Sequence, residues 1–333
     1  MWSRRSPSSC EAKVIERLGP PLAEPIFEEL AIIGVGLIGS SIARAVRHRH
    51  AARRIVLADQ SIAVLERAKA LGLGEVVTDD LARAVNGADC VILCAPVGAN
   101  EAIGRAIAPA LQQGAIVSDV GSVKGAVTAA LASALPAHAR LVPAHPVAGT
   151  EYSGPDAGFA SLFVNRWCIL TPPEGTDDEA VETLRTFWQT LGSHVEIMSA
   201  AHHDLVLAIT SHVPHLIAYN IVGTAADLEE VTRSEVIKFS AGGFRDFTRI
   251  ASSDPTMWRD VFLHNKDAVL EMLGRFNEDL TALQRMIRRE DGDGLFALFT
   301  RTRAIRLGIV AEGQETAAPD FGRRAAEADE PVP

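Results

Sequence analysis

The sequence predicts an α/β domain built on a parallel sheet, followed by an all-α domain. Three observations carry this. Short apolar runs alternate with amphipathic helical stretches between residues 29 and 145. A glycine-rich GVGLIG (34–39) follows the first run and opens the first helical stretch. From Ala200 onward the strand pattern gives way to long amphipathic stretches.

The runs LAIIGVG, RIVLAD, EVVTD, DCVILCAP, GAIVSDVG and RLVPAHP have the length and composition of buried strands. Helical stretches such as SSIARAVRHRH, SIAVLERAKALG and GANEAIGRAIAPAL lie between them. Such alternation requires right-handed crossovers, and hence a parallel sheet. VNRWCILTP and HVEIMS read as further strands, and TDDEAVETLRTFWQTLG between them as a helix whose acidic first turn suits the helix dipole. Pro172, Pro173 and Gly175 punctuate the chain near 171–176 and suggest a domain boundary there, giving domains at 28–173 and 174–311. Residues 1–27 read as a loose arm, and 312–333 as a charged, disordered tail.

The chain has 333 residues, 47% of them hydrophobic and 22% charged, enough for two packed domains. A net charge of −10 argues against non-specific binding to nucleic acid or an anionic membrane. No apolar stretch is read as approaching the ~20 residues of a membrane span, and no apolar core follows the charged start MWSRRSPSSCEAK. A soluble, cytoplasmic protein is therefore expected. Cys90 and Cys94 share one strand face roughly 13 Å apart, beyond the reach of a disulfide. The four cysteines show no metal-type spacing, and no metal is expected.

GVGLIG gives each glycine a task in a Rossmann-like, dinucleotide-binding loop. Gly34 makes the tight turn, Gly36 lets the backbone approach a pyrophosphate, and Gly39 lets helix and strand pack closely. Leu37 and Ile38 then offer the first amides of the helix to the phosphates. Asp59 ends the second strand, 20 positions after Gly39, where a carboxylate accepts hydrogen bonds from the adenosine ribose and repels a 2′-phosphate. NAD is thus expected over NADP; the other reading of Asp59 is a turn aspartate capping the next helix. Ala95 and Pro96 of CAPV close the fourth strand, at the end where nucleotides bind. Ser122, in DVGSVK, reads equally as a helix N-cap or as a substrate contact.

His145 stands in AHPVAGTE, ahead of Gly149, and a neutral imidazole suits a general base near pH 7. Thr150 and Glu151 follow it, placed to position substrate or gate the pocket. His202 and His203 read as surface residues at a helix start, and Trp258 as a core or dimer contact. The segment GFRDFTRIASSDPTMWRD (243–260) carries Arg245 and Arg249, with Asp246 and Asp254 as alternative partners for one of them.

Through GVGLIGSS, DVGSVK, AHPVAGTEYSG, SHVPH and GFRDFTRIASSDPTMW, in this order, residues 28–310 resemble the prephenate/arogenate (cyclohexadienyl) dehydrogenases of tyrosine biosynthesis. The resemblance implies NAD-dependent oxidative decarboxylation of prephenate to 4-hydroxyphenylpyruvate, with arogenate as a second substrate giving tyrosine. It implies that His145 takes the proton of the ring hydroxyl, that Ser122 orients the two, and that Arg249 anchors a substrate carboxylate. Ser211 and His215 of SHVPH would line the same pocket, and the helical domain would form a homodimer. An acidic partner for the substrate amine would favour arogenate; Asn220 is neutral, so prephenate is expected to serve at least as well. The resemblance leaves no room here for a fused mutase or regulatory domain. Two rivals stand beside it. One is a hydroxyacid dehydrogenase of the 3-hydroxyisobutyrate type, which would need a catalytic lysine such as Lys238 or Lys266. The other is an NAD-sensing regulator without turnover.

Overall fold

The computed structural model describes residues 19–150, 152–232 and 241–311. Glu151, Lys238, most of the expected arm and the whole expected tail lie outside the described residues.

Six strands form one sheet: β1 (Phe27–Ile33), β2 (Ala52–Ala58), β3 (Val76–Thr78), β4 (Cys90–Leu93), β5 (Ile116–Asp119) and β6 (Arg140–Leu141). Their order is β3-β2-β1-β4-β5-β6 with every pair parallel, the doubly wound arrangement that strand–helix alternation requires. The crossovers carry α1 (Leu37–Arg49), α2 (Ile62–Ala70), α3 (Leu81–Val85), α4 (Asn100–Ile107) and α5 (Gly125–Ala134). Successive residues of β1 serve opposite faces of the sheet. Leu30 and Ile32 join the core that includes Ile42, Val46 and Trp188, while Ala31 and Ile33 join the one that includes Val117, Leu131 and Trp258. Both faces are covered, which is why the strands read as continuous apolar runs.

The run RLVPAHP, expected as one strand, is two strands in two sheets. The Val142 N–H still bonds the Val117 carbonyl of the large sheet at 2.9 Å. Pro143 has no N–H to extend that ladder. Its carbonyl instead accepts from Thr171 N–H at 2.9 Å, and β7 (Ala144–Pro146) pairs antiparallel with β8 (Trp167–Leu170). β9 (His194–Ile197) pairs parallel with β8 across α6 (Asp178–Thr190). The α6 helix is capped by the Asp177 carboxylate, carries Asp178 and Glu179 in its first turn, and buries Ala180, Leu184, Phe187 and Trp188.

The helical region opens with α7 (Ala200–Leu207), a π-turn over Ala208–His212 and α8 (Val213–Thr232). Pro214 supplies no backbone donor, and the widened turn directly upstream is the kind of adjustment that follows. Residues 242–264 form α9 (Gly242–Thr248), a 3₁₀ turn at Arg249–Ser252 and α10 (Pro255–His264), the last capped by the Asp254 carboxylate. Asn265 breaks the helical run that the sequence suggests, before α11 (Lys266–Arg288) and α12 (Gly292–Ala311). Among the described residues, those up to Val269 form one compact unit and those from Leu270 a second.

One expectation needs correcting. The helical run Ala200–Asp227 is long and apolar enough, by composition, to cross a membrane. The same run carries the buried His203, Asp204 and His212, so its polar groups are tied into the protein interior.

Candidate active site

The glycine loop follows β1, against the end of β4. Gly34 has a φ of 97°, and a Cβ there would sit 2.5 Å from the Cys94 carbonyl oxygen, so only glycine passes. A Cβ on Gly39 would lie 2.0 Å from the Gly34 carbonyl oxygen, which is the close helix–strand approach expected of it. Around Gly36, by contrast, the space is open. Gly36 is also the N-cap residue of α1 and provides no side-chain cap, so the first amides of a 13-residue helix, at Leu37 and Ile38, face that space with no side chain bonded to them. Asp59 accepts from Val35 N–H and Ser61 N–H, both at 2.9 Å, so it braces the loop while each oxygen keeps a further lone pair. The cap of α2 is Ser61, whose hydroxyl accepts from Val64 N–H. Half-buried Ala95 and exposed Pro96 border the loop just after β4.

His145 lies inside β7, paired with Ile169, rather than in the glycine-rich turn that follows. It is 7% exposed. Its Nδ1 is 2.8 Å from Nε2 of His203, and His203 Nδ1 is 2.8 Å from Oδ1 of Asp204. His203 was expected at the surface and is fully buried; His202 is the exposed member of the pair. On a helix, adjacent residues point in directions about 100° apart, and HH alone does not say which turns inward.

Asp204 joins three elements. Its two oxygens accept from Lys124 N–H and Gly125 N–H, each at 2.8 Å, and so cap α5 from a distance. Ser122 therefore does not cap α5; it is half-buried in the loop between β5 and α5. The Asp204 carbonyl accepts from Asn265 Nδ2 at 2.8 Å, and that amide also lies 3.1 Å from Nδ1 of His212. Behind His145, the Lys124 ammonium is wholly buried, 2.5 Å from Asp119 Oδ2 and 2.6 Å from the Ala144 carbonyl. Lys124 thus ties β5 to β7 immediately beside the histidine.

Burial lowers the pKa of His145 well below 6.5, and His203, Lys124 and His212 add to the effect. Burial also pulls His212 down to about 4. Burial pushes the Asp204 carboxyl up, but hydrogen bonds from His203 and the Lys124 and Gly125 amides outweigh it and hold the group below its ordinary value. Burial raises the pKa of Asp119 and lowers that of Lys124, each against the attraction of its partner.

His215, half-buried, donates from Nδ1 to the Ser211 carbonyl at 2.8 Å and stacks on Trp258 with ring centres 3.7 Å apart. Trp258 is 6% exposed and also meets the edge of His212. Arg249, exposed at the start of the 3₁₀ turn, is close enough to lower the pKa of His215, though burial does most of this. Arg245 pairs with Asp246 at 3.3 Å. The Thr150 hydroxyl accepts from Tyr152 N–H at 3.3 Å. The structure therefore brings His145 together with His203, Asp204 and His212, and His215 together with Trp258 and Arg249. Sequence reasoning missed Asp119, Lys124, His203, Asp204 and Asn265 as parts of the site. Of these, only the polar K in DVGSVK and the HHD triplet stood out from an apolar setting.

Residues 42–197 match the family model for the prephenate dehydrogenase nucleotide-binding domain, and residues 199–301 the prephenate dehydrogenase dimerization domain. The chain is 45% identical to a cyclohexadienyl dehydrogenase of Zymomonas mobilis, over 85% of this chain and 97% of that protein. It is 35% identical to a prephenate dehydrogenase of Bacillus subtilis, over 88% of this chain and 79% of that protein. A crystal structure of prephenate dehydrogenase from Aquifex aeolicus with hydroxyphenyl propionate and NAD+ superposes with a TM-score of 0.80 at 33% identity, covering 86% of this chain and 99% of that one. The fold, the sequence matches and the polar set around His145 agree: the chain belongs to the prephenate dehydrogenase family.

Proposed function

We propose that the protein catalyses NAD-dependent oxidative decarboxylation of prephenate to 4-hydroxyphenylpyruvate, and of arogenate to tyrosine as a second reaction. The observation that carries the reading is the buried His145, kept neutral, in a chain with an open, uncapped glycine loop. That loop fits a dinucleotide: the α1 amides at Leu37 and Ile38 suit a pyrophosphate, and the Asp59 carboxylate suits a ribose diol and disfavours a 2′-phosphate. NAD, when bound, supplies the hydride acceptor. His145 takes the proton that the ring hydroxyl loses, and Ser122 orients that hydroxyl. Arg249 pairs with a substrate carboxylate through its planar fork, with Ser211 and His215 beside it and Thr150 and Glu151 as positioning groups. Loss of carbon dioxide then leaves an aromatic ring, which drives the step.

The hydroxyacid rival has little support. Lys266 is exposed at the start of α11 and pairs loosely with Asp267 at 3.7 Å. Absorbance at 340 nm tests the main reading: NADH should form with prephenate at least as fast as with arogenate, and NADP should be used poorly. Asp59→Ser should cut kcat/KM for NAD by about 10-fold, the scale of one charged hydrogen bond, and narrow the gap to NADP. A wild-type protein that binds NAD and turns over neither substrate would refute the reading.

The protein is further proposed to be a cytoplasmic homodimer, joined through its helical region. Phe296, Phe299, Ile305 and Leu307 of α12 are each more than half exposed in the single chain, up to 75% for Phe296. Such apolar surface is what a subunit interface covers. Sedimentation should give a dimer at micromolar concentration and a monomer for Phe296→Asp/Phe299→Asp; a wild-type monomer would sink the idea. The expected division at 173/174 is kept as a proposal for where the nucleotide-binding half ends.

A further inference from the structure

We propose that His203 and Asp204 are positioning residues for His145, fixing which of its nitrogens is free to take the substrate proton. The inference rests on the reading of His145 as the base. An ionised carboxylate only accepts hydrogen bonds, so the 2.8 Å contact to Asp204 Oδ1 places the His203 proton on Nδ1. Neutral His203 then presents a bare Nε2, which accepts from His145 Nδ1–H at 2.8 Å. The remaining nitrogen of His145, Nε2, is left with its lone pair. A second histidine is thus interposed between the base and the carboxylate that orients it.

The carboxylate is itself locked. Lys124 N–H and Gly125 N–H, from the start of α5, fix both oxygens. When His145 gains a proton at Nε2, its Nδ1–H polarises toward His203, and Asp204 stabilises the charge without taking the proton. The other ionisable groups facing this chain are Lys124 and Asp119 behind β7, His212 from the π-turn and Cys168 on β8. Lys124 and His212 disfavour a charge on His145, so Asp204 is the carboxylate that offsets them through His203.

Asp204→Asn tests this, because its amide can donate to His203 Nδ1 and so reverse the chain, leaving the His145 proton on Nε2. The expected result is a fall in kcat of at least about 100-fold with KM little changed. The acid limb of the kcat/KM profile should also move down by about one pH unit, because the carboxylate favouring imidazolium is gone. A role confined to capping α5 would lower stability and leave that limb in place, which would overturn the proposal. Nitrogen-15 NMR of histidine-labelled wild-type protein gives a second reading that needs neither turnover nor a folded variant. Nδ1 of His145 should be protonated and Nε2 bare, and the opposite tautomer would overturn the proposal even in an active enzyme. Absence of wild-type turnover with the expected tautomer present would count against the proposed reaction and not against this arrangement.

Discussion

His145→Ala should lower kcat by about 10²–10⁴-fold, the usual contribution of a positioned general base. NAD affinity, read by quenching of protein fluorescence, should stay within a few-fold of wild type, because the glycine loop and Asp59 lie on other elements. The wild-type pH profile follows from the same residue. Burial holds its pKa well below 6.5, so the base stays neutral at pH 7 and the rate should fall only on acidification below that value. A kcat within 10-fold of wild type, in a variant that folds and binds NAD, would mean that some other group accepts the proton.

Lys124→Met should destabilise the protein by about 3–5 kcal/mol, the cost of leaving a buried carboxylate without its cation. Methionine retains most of the stem volume, so the loss reports the charge and its hydrogen bonds to Asp119 and Ala144 rather than a cavity. Lys124→Met/Asp119→Asn should recover much of it, because an amide oxygen can still accept from Gly121 N–H and no buried charge remains. Urea unfolding at pH 7 measures both. If Lys124→Met alone costs under about 1 kcal/mol, the pair is not the pin between β5 and β7 that its geometry describes.

The parallel sheet was legible because its strands are buried on both faces and read as uninterrupted apolar runs. The glycine loop was legible because Gly34 and Gly39 answer local steric demands and their spacing puts Gly36 at the start of the helix. The split at Pro143 was not, since a proline inside an apolar run does not say which sheet receives the chain afterwards. The helical turns over 242–256 were hidden by Gly242, Gly243 and Pro255, which punctuate like a loop and here mark helix starts. Asp204 and His203 were hidden for another reason. Their partners, Lys124 and His145, lie 80 and 58 positions away, and no local pattern encodes a bond between them.

The short step between the two sheets limits how the enzyme can open. From Leu141, the last residue of β6, to Ala144, the first of β7, there are three Cα steps, at most about 11 Å of chain. His145 is leashed to the sheet whose glycine loop receives the dinucleotide, and it cannot swing away from that sheet. His215 and Arg249 stand more than fifty residues further on, beyond α6 and the π-turn, and His215 reaches the sheet only through packing, stacked on Trp258 of its core. The distance of the base from that sheet is therefore fixed by the covalent chain itself, whatever the rest of the site does.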